Sequence, residues 1–174
     1  MEKLADMSID YLSMQARAGA NALQIFDSWV GAVNSTEYEQ AIFPHMKRII
    51  STVKSRFPNL PLAMNGVGTD HLVSTWAKLP LDVIALDWRS SLGAAKDRGV
   101  TQTVQGNLDP AYLYGDTKTI AKVVDEILTD GVRHGKHVFN LGHGVFPEAD
   151  PAKLHWLTDY VHEKSRELWA RESR

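Results

Sequence analysis

Hydrophobic positions along this chain fall into short runs separated by longer amphipathic stretches, an alternation that predicts βα units. Five runs read as buried strands: residues 22–26 (ALQIF), 61–64 (PLAM), 83–86 (VIAL), 101–105 (TQTVQ) and 137–141 (HVFNL). The second and third are continuously apolar and the others partly so, as expected when helices cover both faces of a parallel sheet. The stretches between them carry helix signals. Before Gly19, Ile9, Leu12 and Ala16 share one helical face. Thr36 and Glu39 fit a capping box, and Pro44 suits the first position of a helix continuing through Ile49, Ile50 and Val53. Thr69 can cap a short helix with Leu72, Val73 and Trp76 inward. Asp116 or Thr117 opens a helix with Ile120, Val123, Val124, Ile127 and Leu128 at three-and-four spacing, with Gly131 as its end. Asp150 followed by Pro151 opens the last helix, with Leu154, Leu157 and Val161 inward.

The order is one helix and then five βα units, which predicts a single parallel α/β domain over residues 1–174. Periodicity leaves two architectures open, a doubly wound sheet and an arc of a barrel. Length narrows the second. A closed eight-stranded (β/α) barrel takes about 250 residues, so 174 are too few for a whole one. Composition, at 44% hydrophobic and 23% charged, is that of an ordinary globular chain. With 19 Lys and Arg against 21 Asp and Glu, the net charge of −2 offers no electrostatic case for nucleic acid or an anionic membrane. No apolar run approaches the ~20 residues of a membrane span. The absence of cysteine removes a thiolate nucleophile and any sulfur-based zinc site from this chain.

In both architectures the chemistry belongs at the carboxyl ends of the strands. Polar clusters stand there on all five: Phe26-Asp27-Ser28-Trp29, Asn65-Gly66-Val67-Gly68, Asp87-Trp88-Arg89, Gln105-Gly106-Asn107-Leu108-Asp109-Pro110 and Asn140-Leu141-Gly142-His143-Gly144. Five such clusters on successive strands suggest one rim of one site. Asn107, Asp109 and Pro110 read equally well as a loop and helix start, and Asp87 as a local cap. Trp29 and Trp88 read first as packing residues. Asn65 to Gly68 lacks the full dinucleotide spacing. His143, flanked by glycines, has an imidazole free to meet a ligand. His134 and His137 lie at the other end of the last strand from His143, roughly 17 Å away, too far to share a metal.

The segments Leu23-Gln24-Ile25-Phe26-Asp27-Ser28-Trp29, Gly106-Asn107-Leu108-Asp109-Pro110 and Asn140-Leu141-Gly142-His143-Gly144-Val145-Phe146-Pro147, with Leu86-Asp87-Trp88 between them, strongly resemble the uroporphyrinogen decarboxylases, in order and spacing. The Phe-Asp-Ser-Trp form is more similar to the bacterial branch. The resemblance implies a (β/α)8 TIM-type barrel, of which this chain would hold the last five strands, the carboxyl-terminal part. It implies decarboxylation of the four acetate side chains of uroporphyrinogen III to give coproporphyrinogen III, in haem biosynthesis. It further implies no metal or prosthetic group, a cytoplasmic location and a homodimer for the full-length enzyme. Under it, Ser28 and His143 are substrate-binding residues and Phe26 is a cleft-lining aromatic. The family's paired arginines, central aspartate and tyrosine belong to the first three strands. No residue here matches them, so no catalytic residue is assigned and the chain alone is expected to be inactive. On that reading Met1 marks an internal start, a truncated gene model or an artificial boundary.

Two alternatives remain beside it. Cobamide-dependent methyltransferases share the superfamily but use zinc with a cysteine ligand, and this chain has no cysteine. A free-standing flavodoxin-like domain binding a small ligand would also account for five βα units in this length.

Overall fold

Five parallel strands form one sheet in the order β1-β2-β3-β4-β5, so each strand is laid down beside the one before it. The computed structural model describes residues 1–172. The elements are α1 (Glu2–Arg17), β1 (Leu23–Asp27), α2 (Ser35–Glu37), α3 (Phe43–Arg56), β2 (Leu62–Gly66), α4 (Val73–Trp76), β3 (Val83–Ala85), β4 (Thr103–Leu108), α5 (Thr117–His134), β5 (His137–Leu141) and α6 (Pro151–Glu172). A flavodoxin-like sheet has the order 2-1-3-4-5, so that alternative is corrected. Strands added always on the same side build the arc of a barrel.

Curvature is visible in one contact. In a flat sheet β1 and β4 would stand about 14 Å apart. Yet the Gln105 amide donates to Gln24 Oε1 across the sheet at 3.4 Å. The register places Gln24 beside Ala63, Ala63 beside Val83, and Val83 beside Thr103. The next inward row runs Phe26, Asn65, Ala85, Gln105 and Val138. Alternate residues point the other way, where Leu23, Leu62, Met64, Ile84 and Val104 belong to one buried cluster with Ile9 and Leu12 of α1 and Ile49, Ile50 and Val53 of α3. A second cluster joins Ile120, Val124 and Leu128 of α5 to Leu157 and Val161 of α6, over Phe139 and Leu141 of β5.

Several expected boundaries move. The predicted strand 101–105 runs instead from Thr103 to Leu108, because Asn107 and Leu108 still pair with Asn140 and Leu141. The expected Thr36–Glu39 capping box does not form. Asn34, a stronger cap than threonine, accepts from Glu37 N at 2.9 Å, and Glu39 accepts from the Thr75 hydroxyl at 2.8 Å instead. Asp116 and Asp150 cap as expected, accepting from Thr119 N and Ala152 N, each at 2.9 Å.

Gly131 does not end α5, which continues to His134 and closes on Gly135 in the left-handed region at φ 91°. Gly131 is small for a packing reason: a Cβ there would lie 2.2 Å from Nδ1 of His137. That imidazole is anchored, with Nε2 bonded to the Gly106 carbonyl at 2.7 Å. Alanine would gain about 1 kcal/mol of helix propensity, but overpacking costs about 1–3 kcal/mol. Gly131→Ala is therefore expected to lower the urea midpoint of the chain; a raised midpoint would mean the ring swings aside freely.

Candidate functional site

The carboxyl ends of the strands are tied into a continuous rim by backbone-to-backbone and side-chain-to-backbone contacts. After β1 the chain turns through Ser28 and Trp29, and burial pushes the Asp27 carboxyl up from its ordinary value against a hydrogen bond from the Val30 backbone. Gly31 then lies flat on the turn after β2, where a Cβ would be 2.1 Å from the Val67 carbonyl oxygen. Next in the same turn, the Gly68 N–H donates to the Asp87 carboxylate at the end of β3.

Asp87 is the centre of the rim. Its side chain is fully buried, and besides Gly68 it accepts from the Arg89 backbone N–H at 2.9 Å and from Arg89 Nη1 at 3.2 Å. Asn107, from the end of β4, donates its amide to the Asp87 carbonyl at 3.0 Å and to the Ser90 carbonyl at 2.7 Å. The loop reading of Asn107 is corrected, since it is a strand residue paired with Asn140, whereas that of Asp109 holds: it accepts from Ala111 N at 2.9 Å with Pro110 opening the following turn. The turn after β2 is no phosphate cradle: Gly68 N is committed to Asp87, and Gly66 faces Trp76 at a distance that leaves no room for a Cβ.

Trp88 is more than packing. Its ring is half-buried, the Arg89 guanidinium lies 4.0 Å from its centroid, and His143 stacks on it at 6.2 Å with 27° between planes. Gly142 is buried directly on the Trp88 backbone, which brings the loop carrying His143 to this ring.

Phe26, at 70% exposure, points from the edge strand β1 into the concave face. Ser28 is exposed in the turn after it, and His143 is exposed after β5, at the opposite edge. The structure therefore brings Phe26 and Ser28 together but not with His143. Four strand intervals, about 19 Å along the arc, separate the two walls. Between them the inward side chains are Gln24, Asn65, Thr103, Gln105 and Asn140, with Ala63, Val83, Ala85 and Val138. Among the described residues this face carries amides and a hydroxyl and no carboxylate. Gln24 was not singled out as an inner-face residue from sequence, although the alternation in LQIF marks it, whereas Gln105 opened the fourth strand-end cluster. His134 and His137 each bond a backbone carbonyl, of Gln102 at 2.8 Å and of Gly106 at 2.7 Å.

Beside β1 the sheet edge is unpaired among the described residues. A groove of about 460 Å³ opens there between α1, β1 and α3, lined by Tyr11, Leu12, Gln24, Phe26 and Met46. Leu4, Met7, Tyr11 and Met14 of α1 are all more than half exposed, at three-and-four spacing. No described helix is long and apolar enough to cross a membrane.

Comparison with known proteins agrees with this geometry. The family model described as uroporphyrinogen decarboxylase matches residues 1–164. Proteins named uroporphyrinogen decarboxylase from Geobacillus sp. (strain WCH70) and Oceanobacillus iheyensis are 52% identical over 163 residues and 51% identical over 167. Those alignments cover 94% and 96% of this chain but 47% and 48% of the relatives. The chain thus spans about half the length of the curated relatives it matches. Among solved structures, a methyltransferase from Methanosarcina mazei superposes with a TM-score of 0.75 over 95% of this chain and 47% of that one. At 17% identity that likeness shows a shared fold alone.

Proposed function

The chain belongs to the uroporphyrinogen decarboxylase family, and from that premise we propose that it forms the Ser28–His143 part of a cleft in which the acetate groups of uroporphyrinogen III are decarboxylated. The observation that carries the reading is the placing of Ser28 and His143, both exposed and at opposite edges of one amide-lined concave face. A tetrapyrrole carries carboxylates around its whole circumference. Donors on two separated walls suit such a ligand better than a compact cluster would. Phe26 offers a flat apolar surface to the macrocycle between them.

In the reaction, a proton adds to the pyrrole carbon bearing the methylene bridge beside the acetate. The ring becomes cationic and serves as the electron sink. The bond from the acetate methylene to its carboxylate breaks, CO2 leaves, and the electron pair flows toward the ring. A proton then adds to the methylene carbon as the ring loses the first one, so each acetate becomes a methyl with net uptake of one proton. No metal or prosthetic group is required by this chemistry. Within it, this chain's residues bind and orient carboxylates, which is positioning rather than proton transfer. The unpaired β1 edge and the exposed stripe of α1 suit closure against further barrel strands from outside these residues. The enzyme would be cytoplasmic and homodimeric.

The test is a hybrid that joins these 174 residues to the preceding half of the Oceanobacillus iheyensis relative. The hybrid is expected to convert uroporphyrinogen III to coproporphyrinogen III, read by chromatography of the oxidised porphyrins. In that hybrid His143→Ala is expected to lower kcat/KM about 10–100-fold, the loss of one hydrogen bond to a charged group. Most of the change should fall on KM. A folded hybrid without turnover would overturn the reading, and unchanged kinetics in the variant would remove His143 from the site.

A further inference from the structure

We infer that Asp87 is a positioning residue for His143, acting through Trp88, an inference that rests on the functional reading above. The claim comes from six contacts that converge on one short loop. Asp87 bridges the turn after β2, through Gly68 N–H, to its own loop, through the Arg89 backbone N–H at 2.9 Å. The bond to Arg89 N spans Trp88 and so fixes the backbone of that residue. A second bond, from Arg89 Nη1 at 3.2 Å, holds the guanidinium folded over the Trp88 ring, 4.0 Å from its centroid. Trp88 in turn meets His143 twice. Its ring stacks on the imidazole, and its backbone nitrogen would be 2.6 Å from a Cβ on Gly142.

The carboxylate therefore holds Trp88 by its backbone and, through Arg89, by its ring, and Trp88 is the surface on which the His143 loop rests. His143 itself has flanking glycines and is exposed, so nothing in its own loop restricts the ring as Trp88 does. A fully buried carboxylate with three donors is also the kind of group that merely stabilises a loop. The two roles separate experimentally, because a positioning role requires energetic coupling to His143 and a structural role does not.

The decisive measurement is a double-mutant cycle in the hybrid enzyme. Asp87→Asn, which keeps shape and removes charge, is expected to lower kcat/KM about tenfold on its own and less than twofold when His143 is already alanine. Equal losses in the two backgrounds overturn the inference. Gly142→Ala presses on the same contact from the other side and is expected to show the same coupling, which covers the case in which Asp87→Asn does not fold. A second readout needs no activity. Stacked on the indole, the His143 ring protons of the 174-residue chain should resonate upfield of an unstacked histidine, and Asp87→Asn should move them back. Resonances unmoved by the substitution overturn the inference. A folded hybrid without turnover overturns the functional reading alone, and the resonance positions then decide the role of Asp87.

Discussion

The 174-residue chain assayed alone with uroporphyrinogen III is expected to show no turnover above the uncatalysed background. The reason lies in the inner face. Protonating a pyrrole creates a cation, and stabilising a charge that develops in the transition state is usually the largest catalytic contribution. That requires a carboxylate aimed into the cleft. Among the described residues the inward positions of the five strands are Gln24, Phe26, Asn65, Thr103, Gln105, Asn140 and small or aliphatic residues. The nearby acids are occupied otherwise. Asp87 is buried in the rim loops and Asp109 caps a turn. Asp27 leaves the strand on the outward side, in register with Gly66.

A second loss compounds the first. An open arc cannot surround its ligand, so much of the advantage of holding reactants in place, up to about 7–11 kcal/mol in well-oriented systems, is forfeited. Together these place the expected deficit against the hybrid well beyond a thousandfold. The measurement is the same porphyrin assay, run at equal protein concentration for the chain and the hybrid. Coproporphyrinogen formed by the chain at a rate within tenfold of the hybrid would mean that Gln24, Asn65 or Gln105 supports the cation unaided.

How far the sequence foretold this arrangement depends on the distance over which each feature is determined. Helices α5 and α6 were legible because Ile120, Val124 and Leu128, or Leu157 and Val161, repeat on a local period, and because Asp116 and Asp150 cap within three residues. Strand order was not legible in periodicity, which holds no information about which strands pair; the barrel arc was expected through the family likeness instead. Gly131 was the expected stop of α5. It lost that role to Gly135 because its size is set by His137, a residue on the neighbouring strand. The cap at Thr36 was displaced by Asn34, a stronger cap only two residues away. Polar residues at the strand ends marked the rim correctly as one face. Their individual duties stayed hidden, because Asn107 and Asp87 act on carbonyls and N–H groups of other loops. Ser28 and Phe26 became candidates only through a family likeness in short motifs, whereas His143 was a candidate already from its flanking glycines at a strand end.

The largest expected loss of stability is at Trp76, outside the cleft. Its side chain is fully buried at the end of α4, and its indole N–H donates to the Tyr38 hydroxyl at 2.9 Å. Tyr38 is itself fully buried, and burial pushes its phenol up to about 12, so the hydroxyl stays protonated and available as the acceptor. The pair joins the segment after β1 to the segment after β2, directly behind the rim. Gly66, the last residue of β2, packs so closely on the indole that a Cβ would lie 2.7 Å from its ring. Truncating a buried tryptophan to alanine costs about 3–5 kcal/mol, and the orphaned Tyr38 hydroxyl adds about 1–3 kcal/mol. Against a typical total of about 5–15 kcal/mol, that is a large share of all the stability such a domain possesses. Trp76→Ala is therefore expected to shift the thermal midpoint sharply downward or to leave the chain unfolded. Trp76→Phe retains most of the apolar volume but cannot donate to Tyr38, and should cost less. The difference between the two variants in urea unfolding separates cavity from hydrogen bond. Equal destabilisation by alanine and phenylalanine would mean that the hydrogen bond, and not the packing of the indole against Gly66, holds the β1 and β2 turns together.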